Sequence, residues 1–130
     1  MKRVLLIDDD KIVTAIYRNL LRSRGDHVEV ATNGEDGFKL ARSFKPDLIL
    51  LDLDMPIMTG MQFLRRVRKD HDLRSIPIVV FTGTALRSRV LGAREAGASM
   101  VLHKLREQPH HVVGALRGVP THHYQTAIPV

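Results

Sequence analysis

Apolar residues follow two alternating patterns along this chain. Continuous apolar runs of strand length occur at Val4–Asp8, Leu48–Asp52 and Ile76–Phe81, and two shorter runs lie at His27–Ala31 and Met100–His103. The first and third runs in chain order end in an acid. Apolar runs of this length are typical of parallel strands that are buried on both faces. The pattern therefore predicts five strands.

Segments with helical spacing lie between and after these strands. Apolar residues recur at helical intervals over 12–20, 37–44 and 61–67, and each of these faces can cover one side of a sheet. The pattern is weaker around 86–96 and 107–116, which carry glycine or mixed polar residues. Strict alternation predicts an α/β fold of the flavodoxin-like (βα)5 type: a doubly wound five-stranded parallel sheet in the order 2-1-3-4-5.

The length and composition fit one soluble domain. With 130 residues, 44% of them hydrophobic, the chain can build one core, which we expect to span 1–117. Residues 118–130 have no periodic face and are predicted to form an extended or disordered tail. The absence of cysteine excludes disulfides and thiolate chemistry. Since no apolar run suits a membrane span or a signal peptide, we expect a cytoplasmic protein.

Charge is distributed unevenly between the two halves of the chain. Residues 1–60 hold nine basic and ten acidic residues, whereas 61–130 hold eleven basic and four acidic ones. The simplest interpretation is a basic surface that faces water. The more specific interpretation is that an acidic partner docks on the second half of the chain. A basic nucleic-acid-binding module is a further alternative. Few aromatic residues and no helix-turn-helix segment after the domain count against it.

Acidic residues collect at the predicted strand ends. Asp8 and Asp9 follow the first strand and Asp52 ends the third, and these two strands are neighbours in the predicted sheet. Clustered carboxylates repel one another unless a cation neutralises them, and oxygen ligands suit Mg²⁺, with Mn²⁺ also possible. Helix capping is the alternative role for acids after strands, and it suits Asp10. Capping alone does not explain three acids from two distant strands.

Two further strand ends complete a possible phosphoryl site. Thr82 ends the fourth strand and can donate its hydroxyl to a phosphoryl oxygen, and Lys104 follows the fifth strand and can pair with negative charge. An aspartate can become an acyl phosphate where a metal and a lysine offset the developing charge. The four strand ends together therefore predict phosphoryl chemistry.

These motifs resemble the receiver domain of two-component response regulators over about residues 1–117. The motifs are Asp8-Asp9 after VLLI, LDLDMPIMTG around Asp52, VVFTGTA around Thr82, and GASMVLHK leading to Lys104. The resemblance implies that Asp52 is the phosphoacceptor and that Thr82 and Lys104 take phosphoryl oxygens. It also implies a signalling domain rather than an enzyme, with self-catalysed phosphotransfer and slow autodephosphorylation.

The resemblance further implies a metal site and a set of partners. Asp9 and Asp52 would bind Mg²⁺ directly, the backbone carbonyl of Asp54 would be the third protein ligand, and Asp8 would hold a metal-bound water. The phosphoryl group would come from a sensor histidine kinase or a phosphotransfer protein. The output would pass through helix 4, strand 5 and helix 5 to a downstream protein or to a second copy of the chain. We expect a stand-alone regulator, with a fragment of a longer protein as the alternative.

Three positions depart from the pattern of the family. Val101 stands where the family often has an aromatic switch residue, and Leu105 stands where a cis proline usually follows the lysine. Because a cis bond before leucine costs about 2.5–4 kcal/mol, we expect a trans bond there. Asp54 is an additional acid, which would either repel the phosphoryl group or orient a hydrolytic water.

A phosphatase of the haloacid-dehalogenase type is the enzyme alternative. Its D-x-D motif matches Asp52-Leu53-Asp54. That motif normally follows the first core strand, whereas here it follows the third. The paired histidines in 110–111 and 122–123 suggest a metal site only weakly, because adjacent side chains point in different directions.

Overall fold

Five parallel strands form a single sheet. They are β1 (Arg3–Ile7), β2 (His27–Ala31), β3 (Leu48–Leu51), β4 (Ile78–Thr82) and β5 (Met100–His103), and their order is β2-β1-β3-β4-β5. The computed structural model describes residues 2–55, 57–83, 86–104 and 108–119. The predicted fold class and strand order are confirmed.

Five helices cover the two faces of the sheet. They are α1 (Lys11–Ser23), α2 (Gly34–Phe44), α3 (Gly60–Lys69), α4 (Arg87–Glu95) and α5 (Pro109–Leu116). Buried residues of α1 and α5 share one core cluster, and those of α2, α3 and α4 share the other. Within the described ranges, no helix is long and apolar enough to cross a membrane.

Each strand sends alternate side chains to the two cores. In β1, Val4 and Leu6 belong to the core under α1 and α5, whereas Leu5 and Ile7 belong to the core under α2, α3 and α4. Full burial of such a side chain contributes about 1.5–3 kcal/mol. Because β1, β3 and β4 are buried on both faces, the residues at their carboxyl ends are held on a rigid base.

The helices differ in how firmly their first turns are fixed. The Oδ1 of Asp10 accepts hydrogen bonds from the backbone N–H groups of Ile12 (2.9 Å) and Val13 (3.2 Å), so its predicted capping role is confirmed. Thr59 and Gln62 form a capping box at the start of α3. In contrast, α4 has no side-chain cap, and Ala93 is its one buried residue. The weak sequence pattern of α4 thus corresponds to a helix that is packed lightly.

The fourth strand begins two residues later than the sequence predicts, and a residue after α5 adds to the core. The strand expected from Ile76 begins at Ile78, because the backbone N–H of Ile76 bonds to the Leu73 carbonyl in a turn and Pro77 has no N–H to donate. At the other end, Val119 is buried in the core under α1 and α5. The predicted tail lies mostly outside the described residues, so its extended state stays a prediction.

Candidate functional site

The backbone fixes two acids side by side at the carboxyl edge of the sheet. The N–H of Asp8, just after β1, bonds to the Ala31 carbonyl at 3.1 Å, and the N–H of Asp52, just after β3, bonds to the Ile7 carbonyl at 2.9 Å. These bonds continue the pairing of the sheet past the ends of β1 and β3. The positions of both carboxyl groups are therefore set by the sheet rather than by a free loop.

Three carboxyl groups meet at this edge. One oxygen from each of Asp8, Asp9 and Asp52 lies within 4.8 Å of the others. Asp8 and Asp52 are buried, with 6% and 5% of their surface exposed, whereas Asp9 is exposed. Hard carboxylate oxygens converging from one solvent-facing and two buried positions suit a hard divalent cation. The predicted cluster is thus confirmed as an arrangement that can hold a metal.

Lys104, which follows β5, reaches into this cluster. Its Nζ lies 2.7 Å from Oδ2 of Asp8 and 3.5 Å from Oδ1 of Asp52. Burial alone would lower the pKa of Lys104, but its contacts with Asp8 and Asp52 outweigh that effect and raise the pKa. The lysine is therefore charged at neutral pH. One ammonium group against three carboxylates leaves a net negative site, which is further reason for it to attract a divalent cation.

The carboxyl group of Asp52 is unusually hard to ionise. Burial is the main cause, the charge of Asp8 adds to it, and the pKa of Asp52 rises from 3.8 to about 6 although Lys104 opposes the rise. A backbone hydrogen bond from Asp54 also favours the ionised form, and the charge of Asp54 opposes it. Asp52 is thus a carboxylate at neutral pH, but one whose charge is poorly compensated in the absence of a metal.

Asp52→Asn is expected to stabilise the metal-free protein by about 1–2 kcal/mol at pH 7. Because the folded state holds the Asp52 proton more tightly than the unfolded chain does, the stability of the wild type should fall as the pH rises from 3.8 to about 6 and stay lower above that range. The variant should lack this decline. Urea unfolding of both proteins in EDTA across this pH range measures the effect.

A matched control is Asp72→Asn, which removes a charge from an exposed residue in the turn after α3. It should leave the free energy of unfolding within about 0.5 kcal/mol of the wild type. If the free energy of unfolding depends on pH in the same way for the wild type and Asp52→Asn, Asp52 does not carry an uncompensated charge.

The remaining predicted site residues lie around this cluster. Thr82 is the last residue of β4 and is 1% exposed, and its backbone carbonyl accepts a hydrogen bond from the N–H of Lys104 at 2.9 Å. That bond ties the end of β4 to the residue after β5. The exposed side chain of Asp54 turns to α4, where its Oδ1 lies 2.6 Å from an Nη atom of Arg89. The metal-binding role of the Asp54 backbone carbonyl stays a prediction.

The loop that carries Asp54 is held close to the sheet. The N–H of Gly60 at the start of α3 bonds to the Leu53 carbonyl at 3.0 Å, and a Cβ at Gly60 would overlap the carbonyl oxygen of Asp52. Only glycine allows this approach without moving the backbone. Gly60, the first residue of α3, therefore also fixes the backbone beside Asp52.

Two of the three departures from the family pattern can be located. Val101 is half-buried on β5, beside Val80, and packs against the core under α2, α3 and α4. The second departure is Asp54, whose carboxylate forms an ion pair with Arg89. Leu105 lies outside the described residues, so the expected trans bond stays a prediction.

Sequence reasoning did not identify two contacts of the site. The Nζ of Lys104 lies closer to Asp8, at 2.7 Å, than to Asp52, at 3.5 Å, and the ion pair between Arg89 and Asp54 had no predicted counterpart. Arg89 and Asp54 are thirty-five positions apart, and no local pattern connects them.

Comparison with known proteins agrees with this geometry. The sequence model of the response regulator receiver domain matches residues 4–116. The protein PilH of Pseudomonas aeruginosa is 34% identical over 104 residues, which are 80% of this chain and 86% of PilH.

Solved structures show the same fold. The chemotaxis response regulator CheY4 of Vibrio cholerae has a TM-score of 0.84 at 27% identity, over 91% of this chain and 98% of CheY4. The BeF3-activated receiver domain of RstA from Klebsiella pneumoniae has a TM-score of 0.79 at 27% identity, over 88% of this chain and 95% of that domain. The sequence match, the strand order and the acidic cluster point to one conclusion: the chain belongs to the family of response regulator receiver domains.

Proposed function

We propose that this receiver domain accepts a phosphoryl group on Asp52 from the phosphohistidine of a sensor histidine kinase or phosphotransfer protein. The observation that carries the proposal is the placement of a buried carboxylate within the acidic cluster and 3.5 Å from the ammonium group of Lys104. Asp52 is buried, its pKa is elevated, and it directly follows β3, the central strand of the sheet.

The transfer follows from the chemistry of these groups. A carboxylate oxygen of Asp52 attacks phosphorus, so an O–P bond forms while the N–P bond to the donor imidazole breaks and the imidazole takes up a proton. Lys104 offsets charge on the phosphoryl oxygens, and the hydroxyl of Thr82 donates to one of them. Positioning and charge compensation, rather than acid–base catalysis, account for the rate.

The acidic cluster is the proposed Mg²⁺ site. Asp9 and Asp52 would bind the ion with their carboxylates, Asp54 with its backbone carbonyl, and Asp8 through a water molecule. Bound Mg²⁺ supplies positive charge for the phosphoryl oxygens. The donor set fits, because three carboxylates share a space that a single ammonium group does not neutralise. Mn²⁺ prefers similar ligands and is the alternative ion.

Asp9→Asn is expected to weaken Mg²⁺ binding about tenfold or more, because a charged ligand becomes a neutral one. The fold should survive, since Asp9 is exposed. Isothermal titration with Mg²⁺ measures the affinity, and Asp72→Asn is the control of equal charge change away from the cluster. An affinity equal to that of the wild type would remove Asp9 from the metal site.

Output is proposed to leave through α4, β5 and α5. Phosphorylation would draw Thr82 and Lys104 towards the phosphoryl group and so change the surface next to β4 and β5. Arg87 and Arg94 of α4 are exposed, which favours an acidic downstream protein or a second copy of the chain. Residues 106 and 107 of the same predicted face lie outside the described residues.

The test is whether phosphorylation is stoichiometric. With acetyl phosphate and Mg²⁺, the intact mass should rise by one phosphoryl group, EDTA should prevent the rise, and hydroxylamine should remove the group. A phosphatase of the D-x-D type would instead turn over p-nitrophenyl phosphate many times. No mass increase, or multiple turnover, would reject the proposed function.

A further inference from the structure

Arg89 forms an ion pair across two elements next to the acceptor site. It lies in the first turn of α4, and one of its Nη atoms is 2.6 Å from Oδ1 of Asp54 in the loop after β3. Both side chains are partly exposed, with 39% and 57% of their surface accessible. Surface pairs of this kind add only about 0–1 kcal/mol to stability. The pair is therefore not explained by a need to hold the fold together.

The position of the pair suggests a different role. Arg89 and Asp54 line a groove of about 400 Å³ together with Asp9, Thr59 and Met61. Asp9 also belongs to the acidic cluster, so this groove borders the acceptor site. Among the described residues that line the groove, Arg89 is the one cation and Asp9 and Asp54 are the two acids.

The charge of Asp54 lies close to the acceptor site. Asp54 is two residues after Asp52, and its exposed side chain lines the groove together with Asp9. A phosphoryl donor that approaches along the groove carries one or two negative charges of its own. Without compensation, Asp54 would repel such a donor, and the repulsion would grow with the charge of the donor.

We propose that Arg89 is a positioning residue for phosphoryl transfer to Asp52: it cancels the charge of Asp54 and so allows a doubly charged donor to enter the groove. This inference rests on the proposed function of Asp52. Arg89 acts through Asp54 and not on the phosphoryl group itself. Asp54 in this chain is then tolerated beside the acceptor because α4 supplies the opposite charge.

Two small donors separate this effect from a structural one. Acetyl phosphate is a dianion at neutral pH, whereas phosphoramidate carries one negative charge fewer. In either case Asp52 forms an O–P bond: the O–P bond to acetate breaks and acetate leaves as the anion, or the N–P bond breaks and ammonia leaves with the proton that its nitrogen already carries. A loosened α4 would slow both donors equally, whereas an uncompensated Asp54 slows the dianion more.

The experiment is a double-mutant cycle with Arg89→Gln and Asp54→Asn. Arg89→Gln should lower the phosphorylation rate with acetyl phosphate about fivefold at low salt and about twofold with phosphoramidate. When Asp54→Asn is already present, the same change should have less than about a twofold effect. Arg89→Lys, which keeps the charge, should restore the rate, and 0.5 M salt should reduce the loss. Arg65→Gln, an equal charge change at an exposed residue of α3, should behave like the wild type.

Several results would overturn the inference. The first is that Arg89→Gln lowers the phosphorylation rate equally with and without the Asp54→Asn substitution, or equally with both donors. The others are that Arg89→Lys does not restore the rate, or that Arg89→Gln causes no loss at all. If the wild type is phosphorylated and Arg89→Gln is unaffected, only this inference fails. If the wild type gains no phosphoryl group, the proposed function fails and this inference fails with it.

Discussion

Asp52→Asn is expected to lower phosphorylation by acetyl phosphate at least about a hundredfold, the largest change that any single substitution should cause. The amide of asparagine is neutral and a poor nucleophile, while its shape matches that of the carboxyl group. Neighbouring acids cannot replace it. Asp8 is held by Lys104 at 2.7 Å and by the N–H of Asp10 at 3.0 Å, and Asp9 is exposed to solvent.

The measurement is the intact mass of the protein over time with acetyl phosphate and Mg²⁺. Asp72→Asn is the control, because it removes the same charge from an exposed turn. Since Asp52→Asn should also be more stable than the wild type without metal, a folding defect would not account for the loss. Phosphorylation of Asp52→Asn at the wild-type rate would show that another residue is the acceptor.

Lys104→Met is expected to slow phosphorylation about a hundredfold while leaving the acceptor in place. The ammonium group lies 3.5 Å from Asp52, and it is the one cation that the described residues pair with this carboxylate to offset charge on the transferred oxygens. In the metal-free protein, the pKa of Asp52 should also rise further, because Lys104 lowers it in the wild type.

Phosphorylation rates measured with acetyl phosphate and saturating Mg²⁺ at about pH 7 test this prediction. Lys39→Met, which removes an exposed lysine from α2, is the matched control and should keep the wild-type rate. Mg²⁺ should bind Lys104→Met at least as tightly as the wild type, since the acidic cluster gains net negative charge. A wild-type rate in Lys104→Met would remove this residue from the phosphoryl site.

The sequence predicted the sheet and the acidic cluster because both depend on short-range patterns. Apolar runs such as Val4–Asp8 and Leu48–Asp52 determine which residues end the strands, and the order 2-1-3-4-5 makes those two ends neighbours. Once the order is known, Asp8, Asp9 and Asp52 must lie close together. Lys104 follows by the same reasoning from the end of β5.

Contacts between loops and helix surfaces were not predictable in this way. Arg89 is one of eleven basic residues in the second half of the chain, and its pairing with Asp54 depends on how α4, a lightly packed helix, lies against the loop after β3. The Nζ of Lys104 lies 2.7 Å from Oδ2 of Asp8 and 3.5 Å from Oδ1 of Asp52, so the identity of its closest partner depends on a small difference in side-chain position. Neither spacing nor periodicity carries that information.

The most direct test of Asp52 as the phosphoacceptor is chemical mapping of the phosphorylated residue. Sodium borohydride reduces an acyl phosphate to the alcohol, so a phosphorylated aspartate appears as homoserine in peptide mass spectra. After treatment with acetyl phosphate and Mg²⁺, we predict homoserine at position 52 and at no other aspartate. Homoserine at Asp8, Asp9 or Asp54 with Asp52 unchanged would contradict the assignment.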